Sequence, residues 1–198
     1  MKPYTDVMQV RLVPPRAIAL AALALAVGSA PAAASMILAM DVPELTANAE
    51  RVVVGEVMAV RSAWDRNHQR ILTTVEVQVA EVWKGQMPPA GRITLIQPGG
   101  TAEGIEMRVH GMPAFSPGER AVLFLRGGSS RPTAVVGMGQ GKRGLTFEPA
   151  SKRWMVDGGD RSAAVTFDRL GRPMDAGPAP SLPLDDLRRQ VRALVVKP

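Results

Sequence analysis

Any catalysis by this 198-residue chain would have to be built without thiols, because it holds no cysteine, and around only two histidines, His68 and His110. His110 follows Arg108 and Glu106 at alternate positions, so on a strand the three share a polar face. An imidazole beside a carboxylate is the pairing that general acid–base hydrolysis needs, which makes His110 the candidate for a hydrolase. A solvated or locally hydrogen-bonded histidine is the plainer reading of both positions, since His68 falls in the polar run Asp65-Arg66-Asn67-His68-Gln69-Arg70. No Gly-x-Ser-x-Gly elbow offers a serine nucleophile. No His-x-x-x-His or clustered His/carboxylate spacing suggests zinc, and no Asp-x-Asp-x-Asp loop suggests calcium, so neither cofactor nor metal is expected. The glycine-rich run Gly137 to Gly144 could cradle an anion with backbone amides beside Lys142. It lacks the spacing of a phosphate loop, with valine at 136 and arginine at 143, and reads as a strand connection. Arg61, Arg66, Arg70, Lys142 and Arg143 could together meet an anionic polymer of the cell envelope.

The elements that would position these residues are mostly strands. Arg51 to Val60 is almost continuously apolar and β-branched, the pattern of a strand covered on both faces. After the polar loop, Ile71, Thr73, Val75, Val77 and Val79 share one face while Thr74, Glu76 and Gln78 share the other. The parity then switches so that Val82 falls opposite, which implies a bulge or sharp coil near Ala80 and Glu81. Further strands are expected at Arg92 to Gln97, Ile105 to His110, Arg120 to Leu125 and Thr133 to Gly137. A meander is expected from Leu145 to Glu148, Arg153 to Val156 and Ala163 to Phe167, within an insertion spanning 145–172. Pro98-Gly99-Gly100 opens a loop that ends at Gly104. Asp41 can cap a short helix ending near Ala49. Four prolines mark 173–183 as an extended linker. Beyond it Leu184, Leu187, Val191 and Leu194 form the apolar stripe of a docking helix over 184–195, with Asp185 and Asp186 in the first turn and an Asp185 to Arg189 pair.

Composition agrees with a single β-rich domain: 46% of residues are hydrophobic, 21% are charged, and there are 19 glycines and 17 prolines. No heptad repeat supports a coiled coil, and the one long apolar run excludes a multi-pass membrane protein. That run, the 11 residues Ala17 to Val27, follows Lys2, Arg11 and Arg16 and precedes the small residues Gly28 to Ala34. This is the pattern of a secretory signal peptide, with cleavage after Ala34, and a start at Met8 would give it a more ordinary length. It is shorter than the roughly 20 residues of a membrane-spanning helix, so no stable membrane anchor is expected after cleavage. Setting aside the first 34 residues, with Lys2, Arg11, Arg16 and Asp6, leaves 21 basic against 17 acidic residues, a mild excess of interspersed charge. Scattered single aromatics and export argue against a nucleic-acid partner.

Five or six coiled strands with a terminal helix describe an OB-like closed or partly open barrel with an added β-meander and a C-terminal helix, and at that point the residues suggest a family. Pro43 to Val57, containing Val52-Val53-Val54-Gly55-Glu56-Val57, resembles the first strand of the netrin-like domains and of the tissue inhibitors of metalloproteinases. Glu81-Val82-Trp83-Lys84-Gly85 is similar to that family's aromatic-Lys-Gly ending of the second strand, Glu119 to Leu125 to a later central strand, and Leu182 to Arg189 to its closing helix. The family's disulfide-forming cysteines, including the N-terminal one that chelates a protease's zinc, have no counterpart here. The resemblance implies a non-enzymatic binding or inhibitory module, secreted or periplasmic, whose partner is another extracytoplasmic protein. It also implies a binding ridge made by the new N-terminus and neighbouring loops, here Ser35, Met36, Ile37 and Leu38 with Gly99 and Gly100. A secreted hydrolase using His110, and a cationic binder of anionic envelope polymers, stand as the alternatives.

Overall fold

The computed structural model describes residues 36–128, 131–159, 165–167, 172–174 and 180–195; Ser35 and the whole expected signal segment lie outside them. The first elements are strand β1 (Met36–Leu38) and helix α1 (Val42–Asn48). Asp41 starts the helix as expected. Its Oδ1 accepts the Glu44 N–H at 2.8 Å while Glu44 Oε2 accepts the Asp41 N–H at 3.0 Å, a reciprocal cap that satisfies two donors a helix start leaves free.

Two 14-residue strands follow, β2 (Arg51–Trp64) and β3 (Ile71–Lys84), paired antiparallel across the polar turn. Their register shifts three times. Between the pairs Val54–Glu81 and Gly55–Val79 the third strand advances two residues against one, which leaves Ala80 as the extra residue where the parity of the sequence changes. Then come β4 (Arg92–Pro98), the short hairpin β5 (Gly100–Ala102) and β6 (Ile105–Met107), β7 (Arg120–Arg126), β8 (Ala134–Val135), β9 (Lys142–Glu148) and β10 (Arg153–Val156). Last are β11 (Val165–Phe167), β12 (Pro173–Met174), β13 (Leu182–Pro183) and helix α2 (Leu184–Val195). The protein is mainly β. Its principal sheet runs β13-β10-β9-β7-β2-β3-β4, with β8 beside β7, and a parallel bridge from Leu95 to Thr133 joins β4 to the entry of β8.

Strands β2 and β7 lie at the centre, and their alternation divides the apolar residues between two cores. Val53, Val57, Val75, Val77, Ile93, Leu95, Leu123 and Leu125 fill one face. Val52, Val122 and Phe124 point the other way, where Leu45 of α1 and Leu187 and Val191 of α2 cover them with Trp83 and Val156. Continuous hydrophobicity in β2 and β7 therefore means two covered faces.

Several expectations change in detail. The strand expected to reach His110 ends at Met107 and pairs only with β5, because the chain then turns away toward Gly111. The expected strand Thr133 to Gly137 is reduced to β8, after which Met138–Gly141 coils as a 3₁₀ turn. The meander stops at its second strand: β10 takes β13 on its free edge, so β11 pairs parallel with β1 and antiparallel with β12 in a separate small sheet. Two ends of the expected 173–183 linker are thus strands. In α2, Asp185 pairs with Arg188 and Asp186 with Arg189 rather than Asp185 with Arg189, since Arg188 also bonds Glu81 of β3 at 2.9 Å.

Candidate functional site

A concavity of about 730 Å³ opens beside the far ends of β2 and β3 and is walled by residues between Gln97 and Phe115. Its polar floor starts from two hydroxyls on facing strands. Ser62 Oγ lies 2.8 Å from Thr73 Oγ1, and Thr73 Oγ1 donates to the Gly99 carbonyl at 2.5 Å. Each hydroxyl has one proton. A carbonyl can only accept, so the Thr73 proton goes to Gly99, the Ser62 proton goes to Thr73, and Ser62 Oγ retains lone pairs for an N–H donor. Thr73 stands on the otherwise apolar face of β3 and is buried, a polar interruption visible in the alternation of the strand.

Gly99 and Gly100 border this floor. Gly100 has φ 128°, and a Cβ there would collide with both hydroxyl oxygens, so only glycine lets the backbone sit against Ser62 and Thr73. The β5–β6 hairpin rises from it as one wall. Gln97 Nε2 donates to the Pro113 carbonyl at 2.9 Å and fixes the opposite side. Beside the cleft, which both residues line, Arg108 clasps Glu106 through Nε at 2.6 Å and Nη2 at 3.2 Å. The hydrogen bond from Arg108, reinforced by its charge, holds the Glu106 carboxyl below the usual carboxylate range. His110 also borders the cleft but sits exposed in the turn after the hairpin.

A second cleft of about 320 Å³ shares Gln97, Pro98, Met112 and Pro113 with the first and is also lined by Met40 and Met138. Met40 follows the expected ridge, so the N-terminal segment and the Gly99-Gly100 loop meet neighbouring clefts at one end of the sheet. The ridge is itself a strand: β1 pairs through Met36, Ile37 and Leu38 with β11. Leu38 is 52% exposed, and its carbonyl accepts from Gln140 Nε2 at 3.0 Å.

The cationic candidates are dispersed. Arg61 pairs with Glu76 at 2.6 Å, Arg70 with Asp65 at 3.1 Å, and Lys142 with Glu119 at 2.5 Å; Lys142 also donates to the Ala114 carbonyl and lies 5.0 Å from the Phe115 ring centre. Arg143 is 4% exposed inside β9, and Arg66 stands at the hairpin tip. His68, with φ 53°, stacks on Trp64 at 5.6 Å between ring centres, a local contact far along the hairpin. Among the described residues no group of three His, Asp or Glu could hold a metal, and no helix is long and apolar enough to cross a membrane.

Ser62, Thr73, Met112 and Met138 carry the site without having been singled out from sequence. Thr73 was legible from its place on an apolar face; the two methionines had no local signal. Comparison with protein-family models and with curated proteins gives no match.

Proposed function

We propose that the protein is an exported, non-enzymatic binding or inhibitory module, an OB-like barrel of the netrin and metalloproteinase-inhibitor type, that takes a segment of another extracytoplasmic protein in the cleft at Gly99 and Gly100. The Leu95–Thr133 bridge supports a ring running from β7 through β2, β3 and β4 back to β8. The observation that carries the binding reading is the cleft itself. About 730 Å³ is within the range of specific ligand pockets. Its walls combine apolar side chains such as Val60, Val109 and Phe115 with glycine backbone, the Ser62 hydroxyl and the Glu106–Arg108 pair, which suits an apolar side chain flanked by polar peptide groups. The hydrolase reading gains less, because the carboxylate nearest His110 in sequence is already held by Arg108. The polymer reading gains less as well, because three of its five cations are paired with carboxylates and a fourth is buried.

The test uses the exported form, which mass spectrometry should find beginning at or near Ser35, as bait for cross-linking to its native neighbours. Thr101 is exposed on β5 and lines the cleft. Thr101→Arg should abolish the cross-linked partner at an unchanged melting temperature. A partner retained by Thr101→Arg, or lost only on raising salt, would remove the cleft from the account.

A further inference from the structure

The protein has 11 methionines and no cysteine, so its only soft metal donors are thioethers. A thioether is neutral at every pH, competes poorly for hard or borderline cations, and favours Cu(I). Three of these methionines, Met40, Met112 and Met138, come from separate segments and line the one cleft of about 320 Å³.

Hydrogen bonds tie the three segments together. Buried Gln140 accepts the Met40 N–H at 2.8 Å and donates to the Leu38 and Gly137 carbonyls at 3.0 and 3.3 Å. The Gly139 N–H donates to the Gly111 carbonyl at 2.7 Å, and the Met112 N–H donates to Val109 at 3.2 Å. Backbone conformation is also spent here. Met138 has φ 57°, a left-handed geometry that an unbranched residue adopts only at a cost, and it follows Gly137 at φ 62°. A Cβ on Gly137 would lie 2.8 Å from Met40 Sδ, so the glycine leaves the space that this sulfur occupies. Met40 also packs against the helix-covered core, which fixes its side chain at the cleft wall.

We infer that Met40, Met112 and Met138 form a soft-metal site that binds one monovalent Cu(I), or its surrogate Ag(I), through thioether sulfur. Among the described lining residues Arg126 is the only charged side chain. Its repulsion is proportional to the charge of the ion, so with neutral ligands a monovalent ion is favoured over a divalent one. The inference stands independently of the partner reading, since it uses different residues and a different ligand.

The full chain, titrated with Cu(I) under ascorbate against a competing chelator, should take up one equivalent, and Ag(I) should displace it. X-ray absorption should report sulfur alone among the protein ligands. Affinity should be the same at pH 5 and pH 7, where a histidine site would weaken. Met112→Leu and Met138→Leu, which nearly conserve volume, should each lower affinity about tenfold or more, whereas Met87→Leu, exposed far along the chain, should not. No Cu(I) uptake by the native chain, a nitrogen ligand, or affinity unchanged in both cleft variants would overturn the assignment. Because the absorption measurement uses native protein, it decides the matter even if a variant fails to fold.

Discussion

At the scale of single residues, the hydroxyl relay at the cleft floor has a direction, and that direction has consequences for stability. Thr73→Val removes the donor to Gly99 and leaves a buried carbonyl unpaired, a loss of about 1 to 3 kcal/mol. Ser62→Ala removes only a donor to Thr73, whose own bond to Gly99 survives, and should cost about 0.5 to 1.5 kcal/mol. Urea denaturation of the two variants measures the order. Equal losses, or a larger loss for Ser62→Ala, would mean that Ser62 holds a further bond within the fold and does not face the cleft as an acceptor.

Among the elements, the β2–β3 hairpin carries an acid-sensitive tip. Asp65 accepts the Gln69 N–H at 2.9 Å and the Arg70 Nε–H at 3.1 Å. The Gln69 backbone bond, with the Arg70 contacts, holds its carboxyl below the ordinary value of 3.8. A carboxyl lowered by folding stabilises the folded form above its unfolded value, and that stabilisation disappears as pH falls through the folded value. Amide exchange at Gln69 should therefore quicken as pH drops below 3.8, beyond the intrinsic pH dependence of exchange, and Asp65→Asn should remove the added effect. Protection that follows only the intrinsic dependence would contradict it. At the other end, α2 is held by packing more than by charge. Leu187 is fully buried, so Leu187→Ala should cost about 2 to 5 kcal/mol. Glu81, which receives both Arg188 and Arg192, remains about a third exposed, and Glu81→Gln should cost at most about 1 kcal/mol. Thermal melts of both variants would show whether that order holds.

Across the whole molecule, β7 is the shared wall of two cores, and neighbouring residues on it face opposite ways. Leu123 belongs to one cluster and Phe124 to the other. Both are essentially inaccessible, so Leu123→Ala should cost about 2 to 5 and Phe124→Ala about 3 to 5 kcal/mol. Because the strand is common to both cores, each variant should lower one and the same transition. Tryptophan fluorescence, which senses Trp83 in the helix-covered cluster, should melt together with the far-ultraviolet signal of the sheet. Two separated transitions in either variant would show that the clusters fold independently.

Local order was legible in the sequence because it depends on the chain's own geometry. The alternation of Ile71, Thr73, Val75, Val77 and Val79, the break at Ala80, the Asp41 cap and the Leu187–Val191 stripe all follow from the periods of strand and helix, which neighbouring residues set by themselves. Pairing partners depend instead on which edges compete for one another. Nothing near Val165 in sequence announces that it meets Met36, or that Leu182 takes the edge of β10 first. Arg188 likewise chooses Asp185 and Glu81 because α2 lies on β3. The clefts belong to the same class: Ser62, Thr73 and Gly99 meet only through the register of β2, β3 and β4, and Met40, Met112 and Met138 only through loops tied by Gln140 and Gly139. Their meeting is a property of long-range closure, which residue type and spacing do not encode locally.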